Sequence, residues 1–522
     1  MKKHIPGRKT LFGLTMASLL GLFPGQFSSE AFAATDRPTV VTNYATNWYK
    51  PRENGSPPVT RLFYPVLVTA DEMSRIVGVF DAMTGETLAV IPVEGTPHHP
   101  YLSRNRRWIF VTQRSGNGIS VIDTRTWTRK EIPFPCPPEQ PCPSFHIGQS
   151  RDGRYAVATI HGMGGAIAIL DARHGTLVRI VKHLGNRPRD AVFSKDGRKI
   201  YVSLQGEGYL AIYHIRSGRI RKVFRGGSPY RSPAGSGMDI SEDGRYVALS
   251  NTKDDEVVLL DTRLDRIVAR AGNVPGPVNV SFQGRDGRLL VTGNRKSGTV
   301  SVLRFDGKHL RLLRTEKTEP GANIVTLGPD GFLWASSNGG RAIRILSPRS
   351  YRVLYTVPVV RGPHWIYFSS DGKRAYVTNW GSSYVTVISV AKKTVLTTFP
   401  VGRSPNGMVL VYLNRPPGFS VQEKTDAKTR RILASRLVIP QPRSPSEKIF
   451  LGSCLRCHGL QRIQMAHYRG TEWEGVVRRM KNNGAEIRDQ DMSTIVQYLQ
   501  SRAQNTLTVK TELEMKTGPG TP

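Results

Sequence analysis

One spacing constrains this chain more than any other feature. An Asp-Gly pair recurs at Asp152-Gly153, Asp196-Gly197, Asp243-Gly244, Asp286-Gly287, Asp330-Gly331 and Asp371-Gly372, at intervals of 44, 47, 43, 44 and 41 residues. Asn105-Arg106 holds the same place one unit earlier. A strand such as Arg245-Tyr246-Val247-Ala248 follows the turn, then an alternating segment such as residues 165–175, then a fourth strand such as residues 176–181. Three to four short strands per unit of 40–45 residues define a β-propeller blade. Stacked helical repeats would need 3.6-residue periodicity, which these units lack. The 51 Gly and 35 Pro suit strands joined by tight turns.

Closure sets the blade count. Residues 64–93 supply the later strands of a first unit, and residues 404–413 supply a leading strand with nothing after it. Joining the two pieces seals the ring and buries its open edges. Eight blades over residues 61–413 result, or seven if one unit is degenerate. Residues 373–407 resemble the YVTN-type bacterial propeller repeat, with Tyr376-Val377-Thr378-Asn379 as its name motif. That resemblance implies architecture and leaves the chemistry open.

The N-terminus reads as a secretory signal. A basic stretch (Lys2, Lys3, Arg8, Lys9) precedes an apolar core at residues 11–23 and Ala31-Phe32-Ala33, placing cleavage after residue 33. The core is shorter than the roughly 18 residues a membrane span needs. Residues 34–60 form an N-terminal extension, and the expected compartment is the periplasm. Export changes the meaning of the charge. With 74 Lys and Arg against 40 Asp and Glu, the net charge is +34. An exported protein of this charge is expected to meet an acidic soluble redox partner, an anionic membrane surface or an anionic substrate, and no nucleic acid. A basic surface with no specific partner is the competing reading.

After residue 413 the repeat stops. Residues 414–443 are rich in Pro, Lys and Arg and read as a linker. Ser444-Pro445-Ser446-Glu447 is a helix start, with Ser at the N-cap, Pro next and Glu at the third position. It leads into Cys454-Leu455-Arg456-Cys457-His458, a c-type haem attachment sequence. Two thiols one helical turn apart form thioethers with the haem vinyls, and His458 is placed beneath the iron as axial ligand. Residues 444–503 resemble a monohaem cytochrome c domain, so one covalent haem c is expected, in a small all-α domain after the all-β propeller.

Met465, His467, Met480 and Met492 are candidates for the sixth iron ligand. Trp473, Val476, Val477 and Met480 share one helical face ended by Asn483-Gly484. The order is similar to small cytochrome domains of amine and sulfite dehydrogenases, which implies Met480 as the ligand; core packing is the alternative role. Residues 504–522 are a polar tail, expected to be disordered. Cys136 and Cys142 flank a Pro-rich loop and are expected to pair in an oxidising compartment, with a metal pair as the minor alternative.

Aligning the units on the Asp-Gly turn brings His98, His99, His146, Asp190 and His364 to the mouth of the ring, beside Arg189 and Trp365. Histidine from three blades on one rim suggests a metal or second-cofactor site. A solvated His in a Pro-containing turn is the plainer reading. Residues 91–123 and 321–340 are similar to stretches of the eight-bladed propeller in cytochrome cd-type nitrite reductases. There, a His at the place of His98 ligates a second haem. That family's distal histidines have no counterpart around Val280 and Glu319, and its cytochrome domain precedes the propeller, so nitrite reduction is not implied. Two functions remain. One is a periplasmic oxidoreductase whose substrate or second cofactor sits at the propeller mouth while haem c relays electrons, with the rim histidines and Asp190 as acid/base groups. The other is a docking protein whose propeller only recognises a partner.

Overall fold

The structure is a computed structural model that describes residues 64–137, 139–224, 237–283 and 287–413, with 473–475, 477–478, 487–497 and 499–500 towards the C-terminus. The strands form eight four-stranded antiparallel sheets. Their innermost strands are, in ring order, Pro405–Leu413, Pro97–Leu102, Ser144–Gln149, Pro188–Phe193, Met238–Ile240, Pro277–Gln283, Ala322–Leu327 and Pro363–Phe368. We number the blades one to eight in that order. The eight-bladed reading holds, and so does the closure: Tyr64–Asp71 pairs with Pro405–Leu413, so blade one joins the two ends of the repeat.

The repeated turn is built by its own side chains. In blade three the Ser150 hydroxyl donates to Asp152 Oδ1 at 2.6 Å, which also accepts from the Arg154 amide at 3.0 Å. Blades four, five and eight repeat the arrangement with Ser194–Asp196, Ser241–Asp243 and Ser369–Asp371. Gly153, at φ 69°, takes the left-handed conformation the turn needs. Blade two makes the same turn without a glycine: Ser103 donates to Asn105 at 2.6 Å, and Arg106 itself adopts φ 59°. Asn105-Arg106 is therefore the same landmark in different chemistry.

Five of the eight inner strands begin with proline, whose missing N–H costs nothing at a strand start. The core lies between blades, where the alternating faces of neighbouring sheets pack. Trp334, fully buried, meets Phe368 of the next blade edge-to-face at 5.4 Å. Outer strands such as Thr176–Val181 are mostly exposed.

Towards the C-terminus, residues 473–475, 477–478, 489–497 and 499–500 are helical. Trp473 and Val477 are buried, as the helical spacing implies, and Ile495, Val496 and Leu499 are buried while Met492 is partly exposed. Cys454, Cys457, His458, Met465, His467 and Met480 lie outside the described residues, as do the signal, extension, linker and tail. No helix among the described residues is long and apolar enough to cross a membrane.

Candidate functional site

A backbone irregularity makes the mouth. Among the described residues, the innermost strand of seven blades shifts register against its neighbour near its start, where two residues oppose one. A bulge of this kind re-aims side chains and is favoured beside functional sites. The bulged pairs are His98/His99, Phe145/His146, Arg189/Asp190, Val278/Asn279, Asn323/Ile324, His364/Trp365 and Asn406/Gly407. Hydroxyls on the second strands pin them. The amides of His99, His146, Asp190 and Trp365 donate to Thr112, Thr159, Ser203 and Thr378 at 3.1–3.2 Å. Thr112, Thr159 and Thr378 donate onward to carbonyls of the next blade, at Phe145, Arg189 and Asn406.

All five predicted rim residues therefore come to one mouth, and their four imidazole rings are linked in a chain through Trp365. His99 lies 3.8 Å from His98, 4.9 Å from His146 and 5.0 Å from Trp365, measured between ring centroids. Trp365 lies 6.0 Å from His364. His99 reaches this far because blade one presents Gly407 beside it. A Cβ there would sit 2.8 Å from Pro100 Cδ and 3.0 Å from both His99 Nδ1 and the His98 carbonyl.

The histidines are neutral. Burial drives His98 and His99 well below the usual imidazole value, with Arg114 adding to His98 and His146 to His99. Burial pushes His364 down to about 3, against its bond to Asn406 and aided by Arg295 and Arg114. It also lowers His146, which Asp190 opposes. His98 Nδ1 is 3.1 Å from the Phe145 carbonyl, and His364 Nδ1 is 3.0 Å from the Asn406 carbonyl. A carbonyl only accepts, so Nδ1 carries the proton and Nε2 keeps its lone pair in both rings. That is the tautomer of a metal-ligating histidine oriented by a carbonyl partner.

Asp190 is buried, with Oδ2 accepting from the Met238 amide at 3.1 Å. Its Oδ1 has no hydrogen bond and stands 3.7 Å from His146 Nε2 and 3.8 Å from Arg189 Nε. Among the described residues no three His, Cys, Asp or Glu side chains are arranged to share one metal ion. What the rim offers is single imidazoles among arginines, with Nε2 of His98 and His364 carrying the lone pair.

Several members of the mouth lie outside the residues singled out by alignment on the turn. Arg114 ion-pairs with buried Glu72 at 3.3 Å, and Glu72 also accepts from Trp380 at 3.0 Å and Asn406 at 2.9 Å. His161 stacks on Phe145 at 3.8 Å, and burial with Arg187 and Arg189 pushes it down to about 3. Arg114, His161 and Trp380 each follow a bulged residue (His99, His146, Trp365) by fifteen positions, a period that the repeat makes legible. Cys136 and Cys142 are bonded, Cα atoms 6.2 Å apart, and Cys142 packs so closely on Gly162 that a Cβ there would lie 1.9 Å from its sulfur.

Comparisons place this geometry among known propellers. Residues 163–415 match a family model described as YNCE-like beta-propeller. Protein NirF of Pseudomonas aeruginosa is 28% identical over 249 residues, covering 43% of this chain and 61% of that protein. Dihydro-heme d1 dehydrogenase of the same organism is 26% identical over 273 residues, 44% of this chain and 52% of that one. The chain thus spans less than two thirds of either relative. Among solved structures, dihydro-heme d1 dehydrogenase NirN in complex with DHE shares the fold, with a TM-score of 0.55 and 17% identity over 72% of this chain and 80% of that one.

Proposed function

We propose that this chain is an exported c-type cytochrome and oxidoreductase whose propeller mouth binds an anionic tetrapyrrole, as substrate or second cofactor. The observation that carries the reading is the locked tautomer at the rim: His98 presents a neutral imidazole with Nδ1 tied to a carbonyl and Nε2 able to donate its lone pair. A single axial imidazole suffices for an iron porphyrin, so no multi-residue metal cluster is required. His98 is the iron ligand in this reading, and His364 on blade eight is a second imidazole of the same tautomer. The matched dihydro-heme d1 dehydrogenase, named for a haem, supports a tetrapyrrole as the ligand class.

The rest of the mouth suits such a molecule. Arg114, Arg189 and Arg295 supply positive charge for ring carboxylates, and Trp365 offers an aromatic face. His146 beside Asp190 gives a neutral base next to a buried carboxylate, able to take a proton released during oxidation. Haem c, held by Cys454 and Cys457 with His458 and Met480 on the iron, would supply one-electron relay to a soluble acidic partner. Export to the periplasm and cleavage after residue 33 belong to the same proposal. Pyridine-haemochrome and tetrapyrrole analysis of the purified exported protein tests it. One covalent haem c plus a non-covalent tetrapyrrole lost in His98→Ala is expected. Unmodified thiols at both cysteines would remove the electron-transfer half of the reading.

A further inference from the structure

The half of the mouth away from the histidines carries a polar group with unmet demand. Asn279 on blade six sits in the bulge position that holds His99, His146, Asp190 and Trp365 elsewhere, and Asn323 on blade seven sits in that of His98 and His364. Both are buried, at 7% and 1% exposure. Arg295 donates to Asn323 Oδ1 at 2.9 Å, and Asn279 Nδ2 donates to the same oxygen at 2.8 Å. Amide orientation is ordinarily ambiguous, but here it follows from the network. A guanidinium only donates, so the atom facing it is the Asn323 oxygen, and the atom that Asn279 presents to that oxygen must be its NH₂. Asn279 Oδ1 is then left as a buried acceptor with no hydrogen bond. Reversing Asn279 would set two carbonyl oxygens against each other.

We propose that Asn279 is a specificity residue that accepts a hydrogen bond from an N–H or O–H group, such as a carboxamide, on the molecule held at the mouth. Arg295 is its positioning residue, acting through Asn323. The inference rests on the tetrapyrrole reading but concerns a different element of the site, on blades six and seven rather than two and eight.

Two probes of equal charge and without carboxylates isolate the donor: iron protoporphyrin converted to its primary diamide, and the same compound with both amides N,N-dimethylated. They share iron, ring and carbonyls and differ in N–H groups. Leaving a buried acceptor unmet predicts that the full-length protein binds the primary diamide about tenfold more tightly, a preference falling to within about twofold in Asn279→Leu. Haemin, whose carboxylates offer no donor at neutral pH, should bind Asn279→Leu as tightly as wild type, which guards against a misfolded Leu variant. Equal binding of the two probes by wild type would overturn the inference while leaving the mouth reading intact. Uptake of haemin with binding of neither diamide would overturn the inference alone, and failure to bind haemin as well would overturn both.

Discussion

Asp71 offers a stability test that needs no ligand. It ends the strand that closes the ring, opposite Pro405, and is fully buried. Its Oδ2 accepts from the Thr69 hydroxyl at 3.0 Å and the Gly402 amide at 3.2 Å, and Oδ1 has no hydrogen bond. Burial pushes this carboxyl up from 3.8 to about 7, against those two bonds. The folded form therefore holds a proton that the unfolded chain releases above pH 4. Stability from this group is complete below about pH 4 and is lost as pH rises towards 7. At about 1.4 kcal/mol per unit, the loss is about 4 kcal/mol in all, of which about 2–3 kcal/mol falls between pH 5 and pH 8. Asp71→Asn removes the titration. Its unfolding free energy relative to wild type should rise by that amount from pH 5 to pH 8, whatever constant offset the amide introduces. Urea unfolding of both proteins at several pH values measures the difference directly. A difference independent of pH would show that the carboxyl ionises normally in the closed ring and refute the argument.

Other outcomes follow from the same geometry. Gly407→Ala forces a methyl to within about 3 Å of His99 and Pro100, so it should cost about 1–3 kcal/mol by overpacking and weaken haemin uptake, read by urea unfolding and spectral titration. Lys393 ion-pairs with Asp330 inside a cage of Phe332, Trp334 and Tyr355, so Lys393→Met should destabilise by about 3–5 kcal/mol, and Asp330→Asn added to it should recover part of that loss. Replacing Cys136 and Cys142 with Ser should lower stability by about 2 kcal/mol, because the cysteines are only six positions apart and the loop they close is short. A loss that matches the effect of reductant on wild type would tie it to the bond.

The architecture was legible because the repeat is local chemistry written many times. Ser-x-Asp-Gly encodes a side-chain-capped turn, and even the variant at Asn105-Arg106 keeps the capping oxygen and the left-handed residue. The composite first blade could be read because two incomplete units have one way to close. The mouth was legible only in part. His98, His99, His146, Asp190 and His364 stand out by residue type, and alignment on the turn brings them together. Asn279 and Asn323 occupy equivalent bulge positions but carry no titratable group, and their importance arises from Arg295 fixing two amides, which sequence alone does not display. The tautomer of His98 was likewise invisible, since it depends on the Phe145 carbonyl of a neighbouring blade. Gly407 matters for what it lacks, and that becomes apparent only once His99 lies against it.

Titration of the full-length protein with haemin, followed by absorption difference spectra, tests the tetrapyrrole mouth most directly. Saturable uptake of one equivalent with an imidazole-ligated spectrum, abolished in His98→Ala, is the predicted result. Uptake that does not saturate, or that His98→Ala leaves unchanged in affinity and spectrum, would contradict it.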